Sequence, residues 1–216
     1  MGVLDLVLPS ACAGCGSYGA ALCSACRRTW RSARRREDAF FSPDPGVVVG
    51  DALELALAAF AYEGTLRRAL QRLKYGGAAR LAAPLAAAAL PTLQRLTTLA
   101  GPGPLVPVPV HPGRLRERGY NQAGLLAQHL GHASGLPAAE LLERTRATTK
   151  QHRLDRAGRL RNLRGAFSVI PGVRPPPVII LVDDILTTSA TLEACASALR
   201  GAGAHRVLGI TIGREV

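Results

Sequence analysis

The chain has 216 residues, with 27 basic against 15 acidic side chains and a formal net charge of +12, so its partners are expected to be anionic. Its length suits one substantial α/β domain with a small appendage, and 48% hydrophobic residues suffice for a core, although alanine supplies much of that share. No run of about eighteen strongly apolar residues occurs, which excludes a transmembrane helix, and 25 of the 27 basic residues are arginine, a chemistry suited to phosphate.

The amino terminus, MGVLDLVLPSACAGC, places an acid inside a short apolar stretch and has no basic segment before it. It does not read as a signal peptide, and a cytoplasmic location is expected. Cys12, Cys15, Cys23 and Cys26 then form a C-x2-C-x7-C-x2-C arrangement. Two such knuckles this close suit a single tetrahedral Zn2+, which would stabilise a segment too short for a core of its own. Two disulfides or a redox pair are the alternatives; the missing secretion signal weakens the first and the duplicated motif the second.

Residues 27–36, RRTWRSARRR, carry six arginines around Trp30. They read either as a contact for single-stranded DNA, with Trp30 stacked on a base, or as a helix or linker whose tryptophan packs against the cysteine module. The second reading is preferred, because one aromatic is thin support for strand binding. The turn-rich stretch FFSPDPGVVVG marks a boundary. The chain is therefore divided into a zinc-binding module with a basic linker, residues 1–45, and a main domain, residues 46–216.

Leu53 to Tyr62 is expected to be a strand and Gly64 to Tyr75 a helix. Lys74, one of only two lysines, lies near the end of that helix, where a solvated position is the default and a position facing the site the alternative. Arg80 to Leu99 predicts an Ala/Leu helix interrupted at Pro84 and Pro91. Leu105 to Val110 reads as a second strand leading into a loop that gathers His111, Arg114, Arg116 and Arg118. Those cations are suited to a pyrophosphate group that gains charge as it departs. The polar, arginine-rich stretch between Leu141 and Val169 is long enough to be a lid, with a disordered basic loop contacting nucleic acid or a solvent-exposed helix through Arg156 to Leu163 as the alternatives.

The most informative segment is VIILVDDILTTSAT, Val178 to Thr191. Val178 to Val182 reads as a central parallel strand covered on both faces. Asp183 and Asp184 follow it, then Thr187, Thr188, Ser189, Ala190 and Thr191, and then a helix ending near Gly201 or Gly203. Strand, loop and helix in that order put the loop at the carboxyl edge of a parallel sheet, where open α/β sheets bind ligands. Backbone N–H groups and hydroxyls there favour an anion, and the two acids suit vicinal hydroxyls or a divalent cation. The parts describe a phosphorylated sugar. Cys195, inside the helix, reads as a core residue.

This segment resembles the phosphoribosyl pyrophosphate (PRPP) loop of type I phosphoribosyltransferases. The resemblance implies ribose contacts for Asp183 and Asp184, phosphate contacts for Thr187 through Thr191, and Mg2+ bound with PRPP. Ser189 stands where that family usually has glycine, which removes free access to positive φ but is expected to add a hydroxyl donor. In combination, the four-cysteine module, LKYGG, VPVPVHPGRLRERGYNQA, KQHRLDRAGRLRNLRGAF and the PRPP loop are similar to the ComF family of competence-associated proteins over nearly the whole chain. That resemblance implies a doubly wound, mostly parallel α/β sheet of the type I phosphoribosyltransferase kind, an amino-terminal zinc module, and a link to DNA uptake. The expected role is phosphoribosyl transfer centred on Asp183 and Asp184, with His111, Arg114 and Arg118 receiving pyrophosphate. The competing expectation is a non-catalytic accessory that binds nucleic acid and keeps a regulatory or vestigial PRPP pocket.

Overall fold

The computed structural model describes residues 10–34, 52–146, 163 and 165–215. In chain order the elements are α1 (Ser24–Arg34), β1 (Leu55–Ala61), α2 (Gly64–Tyr75), a 3-10 turn (Ala79–Leu81) and α3 (Ala82–Ala100). There follow β2 (Leu105–Pro107), α4 (Pro112–Arg118), α5 (Gln122–Ser134), β3 (Leu142–Arg144), β4 (Phe167–Val169), β5 (Val178–Leu186), α6 (Ala190–Gly201) and β6 (Arg206–Arg214). Both ends of the expected lid are described, as β3 and β4, whereas its middle, residues 147–162 and 164, falls outside the described residues, as do the Arg156 to Leu163 helix except at Leu163 and most of the basic linker.

Four strands form a parallel sheet in the order β1-β6-β5-β2. Because β5 is buried on both faces, its side chains divide by parity. Ile180 and Val182 join the core layer containing α3 and α5, whereas Ile179 and Leu181 join the layer containing α6. Helices on both faces of a parallel sheet make this an α/β fold of the doubly wound kind, consistent with a phosphoribosyltransferase-like architecture. β3 and β4 form a separate antiparallel pair.

Three boundaries differ from the sequence reading. α3 runs unbroken through both prolines. Pro84 falls in the first turn, where the missing N–H has no partner to lose, and Pro91 is absorbed because Leu85, Leu93 and Leu96 are fully buried around it. β2 is shorter than expected, and the anticipated cationic loop is instead the short helix α4, started by Pro112 in its first turn and capped by His111. β5 does not stop before the acids: Asp183 is in register with Thr211, and Leu186 with Arg214.

The cysteine module packs onto the main sheet rather than standing apart. Cys12, Ala13, Leu22, Cys26 and Trp30 belong to the same buried cluster as Phe60, Leu66 and Leu70. Trp30 is only 2% exposed; its ring centroid lies 6.0 Å from that of Phe60, and Nε1 donates to Thr65 Oγ1 at 2.8 Å. A ring so enclosed is not available to stack on a base, so the packing reading of Trp30 holds. Cys195 is likewise buried in the core. No described helix is long and apolar enough to cross a membrane.

Candidate functional site

Two groups of side chains stand out, and helix α2 lies between them. The first is the cysteine cluster. The Sγ atoms of Cys12, Cys15, Cys23 and Cys26 all lie within 4.8 Å of one another, an arrangement that can hold a single metal ion. All four are free thiols, so neither disulfide alternative is formed. Backbone N–H groups of Gly14 and Cys23 donate to Cys12 Sγ at 3.4 and 3.3 Å, and the N–H of Cys26 donates to Cys23 Sγ at 3.4 Å. Burial pushes the Cys12 thiol up, but those N–H donors outweigh it and bring it down to about 6, toward the thiolate a metal requires. Gly14 has no room for a side chain: a Cβ there would meet Cys26 Sγ at 2.6 Å.

The second group lines a cleft of about 320 Å³ across the carboxyl ends of all four parallel strands. Asp183, Asp184, Thr187 and Thr191 come from the end of β5 and the start of α6, and His111, Arg114 and Arg118 from α4 and its cap. The structure thus brings the sequence-predicted acids, two of the hydroxyls and the three predicted cationic-loop residues into one space. Ser189 and Ala190 are buried, Thr188 is half-buried, and none of the three is among the lining residues. Arg116 is exposed and is not among the lining residues. The short α4 is held in place by local bonds. His111 Nδ1 accepts from the Gly113 N–H at 3.1 Å, and Arg118 donates to Gln122 at 2.8 Å while its guanidinium lies 5.0 Å from the centre of the Tyr75 ring.

Lys74 also lines the cleft, which is the less favoured of its two readings, and so do Arg144, Tyr62, Gln122 and Glu215, which were not foreseen there. The default reading of Lys74 as a solvated helix end is overturned. Its Nζ lies 2.9 Å from Asp184 Oδ2 and 3.2 Å from Oδ1, and Asp184 is only 2% exposed. The one signal in the sequence was a rare lysine beside a glycine pair in a chain that otherwise uses arginine. Arg144 comes from β3, where nothing local in the sequence marks it as facing β5.

The acid pair has two distinct members. Asp183 is pushed up to about 8, first by burial and next by the neighbouring Asp184 charge, with Lys74 pulling the other way. Its Oδ1 accepts from the backbone N–H of Asp184 at 2.8 Å. Burial pushes the Lys74 ammonium down, but the carboxylates of Asp184 and Asp183 outweigh it and leave it raised, hence charged. Burial and the Asp184 charge thus favour the protonated form of Asp183, and Lys74 pairs with Asp184.

Ser189 adopts φ 55°, ψ −8°, the left-handed conformation for which glycine is the usual residue, and no other described non-glycine residue has positive φ. Its Oγ donates to the Thr188 carbonyl at 2.6 Å, and its own carbonyl accepts from the Glu193 N–H at 2.9 Å to begin α6. Serine thus takes the backbone geometry that glycine would give, at a strain of roughly 1–2 kcal/mol.

Comparison with known proteins meets this geometry from the other side. The chain is 35% identical to the DNA utilization protein YhgH of Salmonella typhi over 150 residues, 68% of this chain and 66% of that protein. It is 34% identical to competence protein F of Haemophilus influenzae over 117 residues, 53% of this chain and 51% of that one. This chain belongs to the ComF family. Competence protein ComFC of Streptococcus pneumoniae, also similar to it, is 36% identical over 104 residues, 47% of this chain and 44% of that protein. The ComF chain thus matches between 44% and 66% of the length of these relatives. No protein-family model matches it.

Two outcomes follow for this ComF protein. Ser189→Gly relieves the left-handed strain and is expected to raise stability by about 0.5–1 kcal/mol after the added freedom of the unfolded chain is subtracted; a denaturation midpoint that moves down contradicts this. Asp183 ionises in the unfolded chain in the ordinary carboxylate range but in the folded chain only near 8. The folded state holds the extra proton across that window, so this contribution is complete below it and is lost as pH rises through it. Asp183→Asn should flatten the decline in denaturant stability measured in steps from about pH 5 to pH 8, and an unchanged slope assigns the decline elsewhere.

Proposed function

We propose that this chain is a PRPP-binding, phosphoribosyltransferase-like protein with a structural zinc knuckle, serving a process connected with DNA uptake or nucleotide metabolism. The observation that carries the reading is the single cleft joining two acids, two hydroxyls and a cluster of cations at the carboxyl ends of parallel strands. Asp183 and Asp184 would accept hydrogen bonds from the vicinal ribose hydroxyls. Thr187, Thr191 and the backbone N–H groups that open α6, from Thr188 through Ala190, would take the 5′-phosphate. His111, Arg114 and Arg118, fixed on α4, would face the pyrophosphate.

In the transfer, the bond between ribose C1 and the pyrophosphate oxygen breaks with its electron pair leaving on pyrophosphate. An acceptor lone pair forms the new bond to C1, and the acceptor loses its proton. The arginines' share is to meet charge that grows on the departing oxygens, from positions already set before the reaction. The acid pair beside a phosphate site fits a hard divalent cation such as Mg2+, which when bound would neutralise pyrophosphate charge. No side chain is assigned as general base. The acceptor is proposed to be related to nucleic-acid bases or ends, because relatives are named for competence and DNA utilization.

The cysteine knuckle fits Zn2+ by distance. A tetrahedral site with metal–sulfur bonds of about 2.3 Å has edges of roughly 3.8 Å, and the Cys12–Cys26 and Cys15–Cys23 sulfurs are each 3.7 Å apart. The alternative, an accessory that binds single-stranded DNA through arginines, loses base stacking by Trp30, whose ring is enclosed.

Calorimetry of the full chain with PRPP and Mg2+ is expected to show binding, weakened at least about 100-fold in the Asp183→Asn/Asp184→Asn variant, since hydrogen bonds to charged groups contribute about 1.5–3 kcal/mol each. No binding by the wild type removes the PRPP reading, and equal binding by the variant removes the role of the acids. Metal analysis is expected to find about one zinc per chain, lost in Cys12→Ser. A value well under one in the wild type contradicts the knuckle.

A further inference from the structure

The mechanism above uses the acids and the arginines but leaves Lys74 without a task. Its setting is not that of a loose surface lysine. It is the penultimate residue of α2, between Leu73, whose side chain is fully buried and whose carbonyl accepts from Tyr120 Oη at 2.6 Å, and Tyr75, against which Arg118 lies. The backbone at Lys74 is therefore fixed on both sides. Its ammonium approaches both oxygens of Asp184, at 2.9 and 3.2 Å, so it occupies the open side of the carboxylate. A divalent cation bound there by both oxygens needs that same side.

The surrounding charge works in the same direction. The cleft is lined by Lys74 and three arginines against three carboxylates. A lone doubly charged cation entering it meets a surplus of positive charge at short range, whereas a polyphosphate brings several negative charges and reverses the balance. The lysine stem is long and flexible with three donors, so the ammonium can move from the carboxylate to a phosphate oxygen without leaving the cleft.

We propose that Lys74 is a positioning and selectivity residue. It holds Asp184 in place in the empty cleft and excludes a lone divalent cation from the acid pair, so the metal is admitted only together with a pyrophosphate-bearing ligand. This rests on reading the acid pair as a place for a sugar phosphate and its metal, but it is tested without PRPP. The probe is Mn2+, followed as metal retained with the zinc-loaded full chain in equilibrium dialysis, with pyrophosphate at equal concentration on both sides in the pyrophosphate arm.

The wild type is expected to take up no Mn2+ by itself and to take it up with inorganic pyrophosphate. Lys74→Met should bind Mn2+ alone at least about tenfold more tightly than the wild type, because one positive charge within a few ångströms has been removed. Lys74→Arg, which keeps the charge, should exclude it, and adding Asp184→Asn to Lys74→Met should abolish the gain. Binding of Mn2+ alone by the wild type as tight as that of Lys74→Met overturns the proposal, as does an equal gain in Lys74→Arg. If Lys74→Met does not fold, Lys74→Gln takes its place, with the same gain in binding of Mn2+ alone expected; Mn2+ bound by the wild type without pyrophosphate as tightly as by Lys74→Gln refutes the proposal. Failure of PRPP to bind in calorimetry with this exclusion intact would remove the phosphoribosyl reading and leave the role of Lys74 standing.

Discussion

Two adjacent carboxylates at the end of a buried parallel strand are the constraint around which the rest is arranged. Asp184 is almost fully enclosed and Asp183 half-buried, and two like charges this close in a poorly solvated place cannot both be carried cheaply. The burden is divided: burial and the Asp184 charge favour a proton on Asp183, and Asp184 takes Lys74 as counter-ion. An incoming sugar phosphate with its metal can replace both devices. The arrangement stores the site's charge in a form that the proposed ligand displaces, and this links the empty geometry to binding.

Helix α2 makes that arrangement possible, because it reaches Lys74 at one end while the cysteine knuckle grips it along its length. Arg68 Nε donates to the Gly14 carbonyl at 2.5 Å, Arg72 donates to the Cys12 carbonyl at 3.5 Å, and Thr65 accepts from Trp30. A metal held by the four cysteines would add order to a segment of some twenty-five residues with few apolar side chains, and the packing would pass that order to the helix. The knuckle is then more than an appendage tethered to the sheet: its carbonyls are receptors for side chains of the helix that supplies the counter-ion. Placing Trp30 inside this seam explains why a tryptophan among arginines serves packing instead of recognition.

The parts legible in the sequence were those coded by contiguous chemistry. Val178 to Val182 could only be a covered strand, the cysteine spacing brought four sulfurs together, and the Asp pair and hydroxyl run lay where a strand meets a helix. What escaped reading was carried by distance in sequence. Lys74 meets Asp184 across 110 positions with only its rarity to mark it, so the sequence favours the solvated default, and Arg144 reaches the cleft from a hairpin with no local pattern to betray it. Boundaries were missed for a different reason. Propensity marks Pro91 as a break, but tertiary burial of the leucines around it outweighs one lost backbone bond. β5 continues through its acids because Asp183, Ile185 and Leu186 still pair with β6, and that pairing is invisible until the partner strand is placed.

Ser189 shows how tightly the loop geometry is specified. The residue that starts α6 takes a left-handed conformation although its side chain disfavours it, and no other described residue outside glycine does so. Strain persists only where surroundings determine the backbone, and here three things do: α6 begins with the Ser189 carbonyl accepting from Glu193, Ala190 is buried at the next position, and Glu193 in turn receives the N–H groups of Ala52 and Leu53 ahead of β1. A helix start anchored this firmly to a neighbouring strand leaves the turn between Leu186 and Ala190 little freedom to relax. The hydroxyl of Ser189 is spent on the Thr188 carbonyl, so it offers no donor to a ligand. Any phosphate grip in that turn must come from its backbone N–H groups and from Thr187 and Thr191, which makes the glycine replacement a matter of stability and not of recognition.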